Sequence, residues 1–161
     1  MNCIIYNLKL SKEWSVMERI ERTAIVPYSA ETVYTLVCDI ERYPDFLPWC
    51  KSAVIHNKTE EWVEASLELS KGAISKSFTT RNHLKPNREM EMHLVNGPFK
   101  HLYGIWKFEP LSEQACKVSV CLEFSFSSKL LEMAIGPLFH HMANTLLEAF
   151  VERAKQANKP L

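Results

Sequence analysis

Apolar and polar positions change period along this chain, and the changes mark its elements. Residues Arg19–Val26 read as a strand that Pro27 ends. Ser29-Ala-Glu-Thr32 then reads as a helix start, with a capping hydroxyl ahead of Glu31. Val33, Tyr34, Leu36, Val37 and Ile40 form its apolar stripe, which stops before Tyr43-Pro44. With Pro44 and Pro48 close together, Tyr43–Cys50 reads as an ordered aromatic loop or a short second helix.

From Trp62 to Phe126 the period is two. Trp62–Ser70 puts Val63, Ala65, Leu67 and Leu69 on one face. Ile74–Leu84 alternates weakly, with Ile74, Phe78 and Thr80 on one side, and Lys85-Pro-Asn-Arg88 follows as a turn. Glu89–Leu94 aligns Met90, Met92 and Leu94 before the turn at Asn96-Gly-Pro98. Phe99–Phe108 is apolar on both faces, includes Tyr103 and Trp106, and is expected to end at Pro110. Cys116–Phe126 alternates most cleanly, with Cys116, Val118, Val120, Leu122, Phe124 and Phe126 on one face.

The period then becomes helical. Over Lys129–Ala157, Leu131, Ile135, Leu138, Met142, Leu146 and Ala149 recur at steps of three and four and share a face. Leu130, Ala134, Phe139 and Phe150 widen it, and Gly136-Pro137 predicts a kink or a short first helix ending near Ile135. One strand, a helix, a run of strands and a long helix is an α+β plan. A sheet with one apolar face must cover it, and the C-terminal helix is the element large enough to do so. A twisted sheet wrapped around one helix need not close along its whole length, so an apolar space can remain. Met90, Met92, Met133 and Met142 fall at or beside inward positions, where a flexible, polarisable side chain suits a large apolar ligand or, equally, a plain core.

Length and composition narrow the function classes. A chain of 161 residues with 47% hydrophobic and 24% charged residues reads as one globular domain, not a disordered or disulfide-scaffold protein. We take that domain as residues 17–158, because the strand pattern starts directly after Met17. Residues 1–16 are then an extension ahead of a biological start at Met17, the alternative being an extra strand of Ile4, Ile5, Tyr6, Leu8 and Leu10. Lys+Arg and Asp+Glu are both 19, which argues against a nucleic-acid coat protein or a DNA partner. Asp39 and Asp45 are the only aspartates, too few for a calcium loop. The five cysteines, odd in number and without C-x-x-C, suit a reducing cytoplasm.

No catalytic motif stands out. There is no H-E-x-x-H, and His140 and His141 are neighbours on a helix, pointing about 100° apart, so they read as surface histidines and not as a metal site. G-x-S-x-G, the P-loop and G-x-G-x-x-G are absent. Inward strand positions carry almost no titratable group for acid–base work. Neither an enzyme nor a catalytic cofactor is therefore expected. Residues 71–107 do carry seven Lys or Arg against two Glu, so Arg81, Lys85, Arg88 and Lys100 are candidates for meeting phospholipid headgroups or RNA phosphates. The alternative is a solvated face paired with Glu64 and Glu68.

Six strings occur together: Val26-Pro-Tyr-Ser-Ala-Glu31, Asp39-Ile-Glu-Arg-Tyr-Pro-Asp-Phe-Leu-Pro-Trp-Cys50, Ser77-Phe-Thr-Thr-Arg-Asn82, Leu94-Val-Asn-Gly-Pro-Phe-Lys100, Gly104-Ile-Trp-Lys-Phe108 and Phe150-Val-Glu-Arg-Ala154. In this order they resemble the coenzyme Q-binding branch of the START-like, polyketide cyclase/lipid-transport superfamily, whose bacterial members are RatA-type ribosome association toxins. The resemblance covers about Met17–Ala157. It implies a helix-grip fold, in which a curved antiparallel sheet of six to seven strands grips the C-terminal helix around a hydrophobic tunnel. The implied ligand is ubiquinone or a similar isoprenoid lipid, carried in support of respiration by a cytoplasmic protein that can sit peripherally at the inner membrane. The inward residues Leu67, Leu69, Phe78, Thr80, Met90, Met92, Leu94, Tyr103, Trp106, Val120, Leu122, Leu131, Ile135, Leu138, Met142 and Leu146 would line the tunnel. Thr80, Tyr103, Trp106 or Trp49 would donate to a quinone carbonyl. Tyr43, Phe46, Leu47, Trp49, Pro98 and Phe99, on two loops expected to be exposed, would form a mouth that docks on a membrane. The toxin branch implies instead a ribosome contact that blocks subunit joining, with the basic strands as its footprint; a lesser alternative is a polyketide cyclase-like enzyme turning over a polyketide or other aromatic precursor.

Overall fold

Strand β1 (Glu18–Val26) runs up to Pro27, and two residues later the Ser29 hydroxyl accepts the Thr32 N–H to cap α1 (Ala30–Cys38). Ala30, Val33, Tyr34 and Val37 are the buried face of α1. A short 3-10 helix, Ile40–Asp45, follows with Pro44 inside it, so the aromatic segment begins as the short second helix. These are elements of a computed structural model, which describes residues 16–159; the extension's alternative strand at Ile4–Leu10 lies outside the described residues.

Six strands then run in antiparallel succession: β2 (Cys50–Lys58), β3 (Trp62–Lys71), β4 (Ile74–Lys85), β5 (Glu89–Asn96), β6 (Phe99–Ser112) and β7 (Ala115–Phe126). With β1 they form one sheet in the order β1-β7-β6-β5-β4-β3-β2. The two edges are therefore adjacent in sequence, and α1 with the 3-10 helix spans from one to the other. Helix α2 (Lys129–Ala157), capped by the Ser128 hydroxyl on the Leu131 N–H, packs across the inner face of the sheet.

The core follows the alternation. All six residues from Cys116 to Phe126 assigned inward are buried, as are Val63, Ala65 and Leu69 on β3. Phe139 on α2 is the main clasp, with its ring 4.6 Å from that of Phe124, 4.9 Å from Phe99, 6.2 Å from Phe126 and 6.4 Å from Phe78. One aromatic residue of the helix thus binds β4, β6 and β7 together.

Several expectations are corrected. Strand β2 is an addition that the period-two pattern, read from Trp62 onward, does not mark: it is an edge, its outer half is exposed and two register shifts interrupt it. Strand β6 does not stop at Pro110 but continues to Ser112, with Pro110 opposite Cys116 beside a register shift that accommodates the missing N–H. Helix α2 is continuous through Pro137. Pro137 leaves the Met133 carbonyl without its N–H, and both residues are exposed, so the loss falls on a solvated face. That face includes Leu130 and Met133, 77% and 69% exposed, which were expected on or beside the buried stripe. They recur with Pro137, His141 and Asn144 at steps of three and four, on the side away from Ile135 and Leu138. Nor are the two aromatic loops an exposed mouth: Tyr43, Leu47, Trp49 and Phe99 are buried, while Phe46 and Pro98 are half-buried. The Tyr43 hydroxyl donates to the Val37 carbonyl and its ring packs edge-on against Phe46 and Phe150, folding the segment under α2.

Burial also sets a pH response. The Cys50 thiol is pushed up to about 11 from 9.0, first by burial and then by Glu68. Burial raises Tyr43, Tyr34, Cys38 and Cys116 as well. In the unfolded chain these groups lose protons at lower pH than in the folded one, so unfolding releases protons in alkali and stability falls as pH rises. Urea midpoints are expected to hold from about pH 7 to 8.5 and to drop progressively from about pH 9 to 11. A flat profile across that range would contradict the burial of Cys50 and Tyr43.

Candidate functional site

Between the inner sheet face and α2 the packing does not close. A narrow cavity remains, lined from the sheet by Ala65, Leu67, Phe78, Thr80, Asn82, Met92, Leu102, Gly104, Trp106 and Leu122. Helix α2 contributes Phe139, Met142, Leu146 and Phe150, and Ile40, Tyr43 and Trp49 close it from the 3-10 segment. The free space is about 60 Å³, on a measure by which one water takes about 10–15 Å³. It is a slot for a few waters, and a larger guest requires flexible lining side chains such as Met92 and Met142 to swing aside.

The sequence-derived candidates divide accordingly. Leu67, Phe78, Thr80, Met92, Trp106, Leu122, Met142 and Leu146 line the slot, and so do Tyr43 and Trp49, which were expected at an exposed mouth. Leu69, Met90, Val120, Ile135 and Leu138 face inward but are solid core. Leu94 and Leu131 are half-buried away from the slot. Tyr103 lies on the opposite sheet face, its ring 5.3 Å from that of His93, so it cannot meet a guest in the cavity. Phe46, Leu47, Pro98 and Phe99 do not reach the slot. Asn82 was overlooked although the period-two signal was present: it follows Phe78 and Thr80 on the same face. Ile40, Ala65, Leu102, Gly104, Phe139 and Phe150 complete the missed lining.

Chemically the slot is almost wholly apolar. No Asp, Glu, His, Lys, Arg or Cys lines it, and its one titratable hydroxyl, on Tyr43, is engaged with Val37. Thr80 and Asn82, both buried, are also polar, and the lining residues Trp49 and Trp106 carry indole N–H donors. Such a lining can hold and orient a guest but supplies no poised acid or base. Among the described residues, no three His, Cys, Asp or Glu side chains converge to hold a metal.

The basic strands are partly self-neutralised. Arg81 pairs with Glu64 at 3.0 Å and stacks over Trp62, and Lys85 pairs with Glu89 at 2.6 Å. Glu68 instead meets Lys51, Ser52 and Ser75. Arg88 and Lys100 are exposed and form no ion pair among the described residues. They stand at opposite ends of β5, so the four candidates do not form one compact patch.

A seven-stranded antiparallel sheet gripping one long helix over an apolar slot defines a helix-grip, START-like domain. The solved structure of the Zhui aromatase/cyclase from Streptomyces sp. R1128 has the same fold, with a TM-score of 0.74 over 89% of this chain and 97% of that one, at 18% identity. Residues 26–151 match the family described as polyketide cyclase/dehydrase and lipid transport, and the chain belongs to it. It is 49% identical over 141 residues to the ribosome association toxin RatA of Escherichia coli K12, covering 88% of this chain and 89% of that protein. It is 25% identical over 143 residues to the mitochondrial coenzyme Q-binding protein COQ10 homolog B of Xenopus laevis, covering 85% of this chain and 59% of that protein.

Proposed function

We propose that this protein associates with ribosomes as a RatA-type factor and interferes with subunit joining. The observation that carries this reading is the 49% identity, across nearly all of both chains, to a protein named for ribosome association. The ranking differs from the sequence-based expectation, which put quinone carriage first. Unpaired cations supply the physical means of contact: Arg88 at the β4–β5 turn and Lys100 at the start of β6 are free to meet phosphate. Sedimentation of the purified protein with separated ribosomal subunits, across about 50–200 mM salt, tests it. Binding to a subunit that weakens as salt rises is expected, and failure to cosediment at the lowest salt would overturn the reading.

The ion pairs rank the variants. Reversing a free cation loses a phosphate contact and adds repulsion, so Arg88→Glu should weaken cosedimentation by about 5- to 10-fold near 0.1 M salt if Arg88 meets one phosphate. Lys85→Glu should do less, since Glu89 already balances Lys85. Equal losses from both would mean that the internal pairs do not govern the surface.

A second reading rests on the slot. Its apolar lining and lack of acid–base groups support binding of an apolar ligand, such as a prenyl lipid or quinone, without turnover. Mass spectrometry of an organic extract, beside a mock purification, tests it. A single enriched lipid near one per protein supports carriage, and an empty extract from folded protein counts against it.

A further inference from the structure

We propose that β1 is the seam of a two-fold dimer, in which two copies of this chain pair β1 edge to edge, antiparallel, about Ile20. Neither reading above assigns a partner to this edge, and the inference stands independently of both. Strand β1 ends the sheet, so one side of its backbone faces no other strand. Which groups lie on that side follows from the ladder. The Ser127 N–H donates to the Pro98 carbonyl, so odd residues of β7 turn their polar groups to β6 and even ones turn theirs to β1. Opposite those even residues stand Glu18, Ile20, Arg22 and Ala24, which leaves the N–H and C=O of Arg19, Glu21 and Thr23 on the open edge. The Glu21 carbonyl agrees, since the Arg22 guanidinium donates to it at 2.8 Å. An open row of this kind is a template for another strand.

The side chains select the occupant. A two-fold axis between identical strands can pass through any residue, and each choice fixes all the facing pairs. Centred on Ile20, it sets Arg19 opposite Glu21 on the outer face and Glu18 opposite Arg22 on the inner face, each twice by symmetry, with Ile20 against Ile20. Centred on Glu18, Arg19, Glu21 or Arg22, it sets that residue against its own charge. Charged side chains on an edge usually forbid pairing. Here their order forbids the neighbouring registers and leaves one. In that register Arg19 and Glu21 are hydrogen-bonded partners, as their open backbone groups require. Arg19 also keeps Glu123 of its own chain at 3.3 Å, so its guanidinium joins the two copies. Apolar surface is covered as well: the exposed Met17 falls opposite Thr23 and diagonal to the exposed Ile25, and the exposed Val16 falls opposite Ala24.

Sedimentation velocity of the full chain over about 1–200 µM tests the proposal, because a seam this short gives a weak, reversible dimer. A monomer–dimer equilibrium is expected. Arg19→Glu sets like charges face to face at two symmetric places and should weaken dimerisation about tenfold. Arg19→Glu combined with Glu21→Arg restores opposite charges across the seam and should recover most of that loss. Glu21→Pro removes an N–H from the open edge and none from the β1–β7 ladder, so it should abolish the dimer. Urea midpoints measured in parallel show which variants are folded, and the charge swap decides alone if Glu21→Pro is not. A chain that stays monomeric at the highest concentration overturns the seam. So does a dimer that Arg19→Glu leaves unchanged, since it would use another surface. A loss in Arg19→Glu that the double variant does not recover overturns the register about Ile20.

Discussion

Phe139→Ala is expected to lower the unfolding free energy by about 3–5 kcal/mol, read as a shift of the urea midpoint without a change in slope. Phe139 is fully buried, and its ring reaches rings on β4, β6 and β7, including the stacked pair Phe99 and Phe126. Truncation removes apolar burial and four aromatic edges, each of the latter worth about 0.5–1.5 kcal/mol in favourable geometry. The void cannot collapse easily, because the rings around it are held by three different strands. It would also merge with the slot, whose wall Phe139 forms, so the variant should admit larger apolar guests while being less stable. Met133→Ala on the same helix is the control: Met133 is exposed, and a change within about 0.5 kcal/mol is expected. A loss below about 1.5 kcal/mol for Phe139→Ala, outside the usual range for a buried Phe, would mean that α2 is held to the sheet elsewhere.

The architecture is legible in the sequence wherever one face of an element is buried and the other solvated. Cys116–Phe126 shows this most clearly, since every second residue enters the core and period two survives intact. Strand β2 is illegible for the complementary reason: as an edge it buries little, so Lys51–Lys58 carries almost no periodic signal. Pro110 and Pro137 mislead because each lies where a missing N–H can be borne, one beside a register shift and one on an exposed helix face. The candidate site is legible only as a face. Periodicity places Leu67, Leu69, Met90 and Met92 alike inward, but which of them meets the slot depends on where α2 crosses, and that is a tertiary fact. Tyr43 and Trp49 lie on a segment without a repeating pattern, so their inward turn under α2 has no local signature. Asn82 had the signature and lacked only the apolar side chain that marks a core position.

Gly97→Ala should cost about 3 kcal/mol, more than its single added methyl suggests, because two penalties coincide. Gly97 has φ +155°, a conformation that side chains rarely adopt, and strain of this kind is worth about 1–3 kcal/mol. A Cβ there would also lie 2.6 Å from the Phe78 Cβ and 3.2 Å from the Phe78 Cα. Neither atom can rotate away, so the β5–β6 turn or strand β4 must shift, adding about 1–3 kcal/mol of overpacking. Gly72→Ala separates the two penalties: its φ is +60° with nothing within 4 Å, so only the backbone penalty of about 1–2 kcal/mol remains. The turn at Gly97 matters beyond its own strain, because the Pro98 carbonyl accepts the Ser127 N–H at 3.0 Å and Phe99 stacks on Phe126, just ahead of α2. Moving it also displaces Phe78, a wall of the slot, so Gly97→Ala should lose guest binding under conditions where it is still folded. Equal urea midpoints for Gly97→Ala and Gly72→Ala would show that the approach to Phe78 is looser than 2.6 Å and that the turn does not set the slot's width.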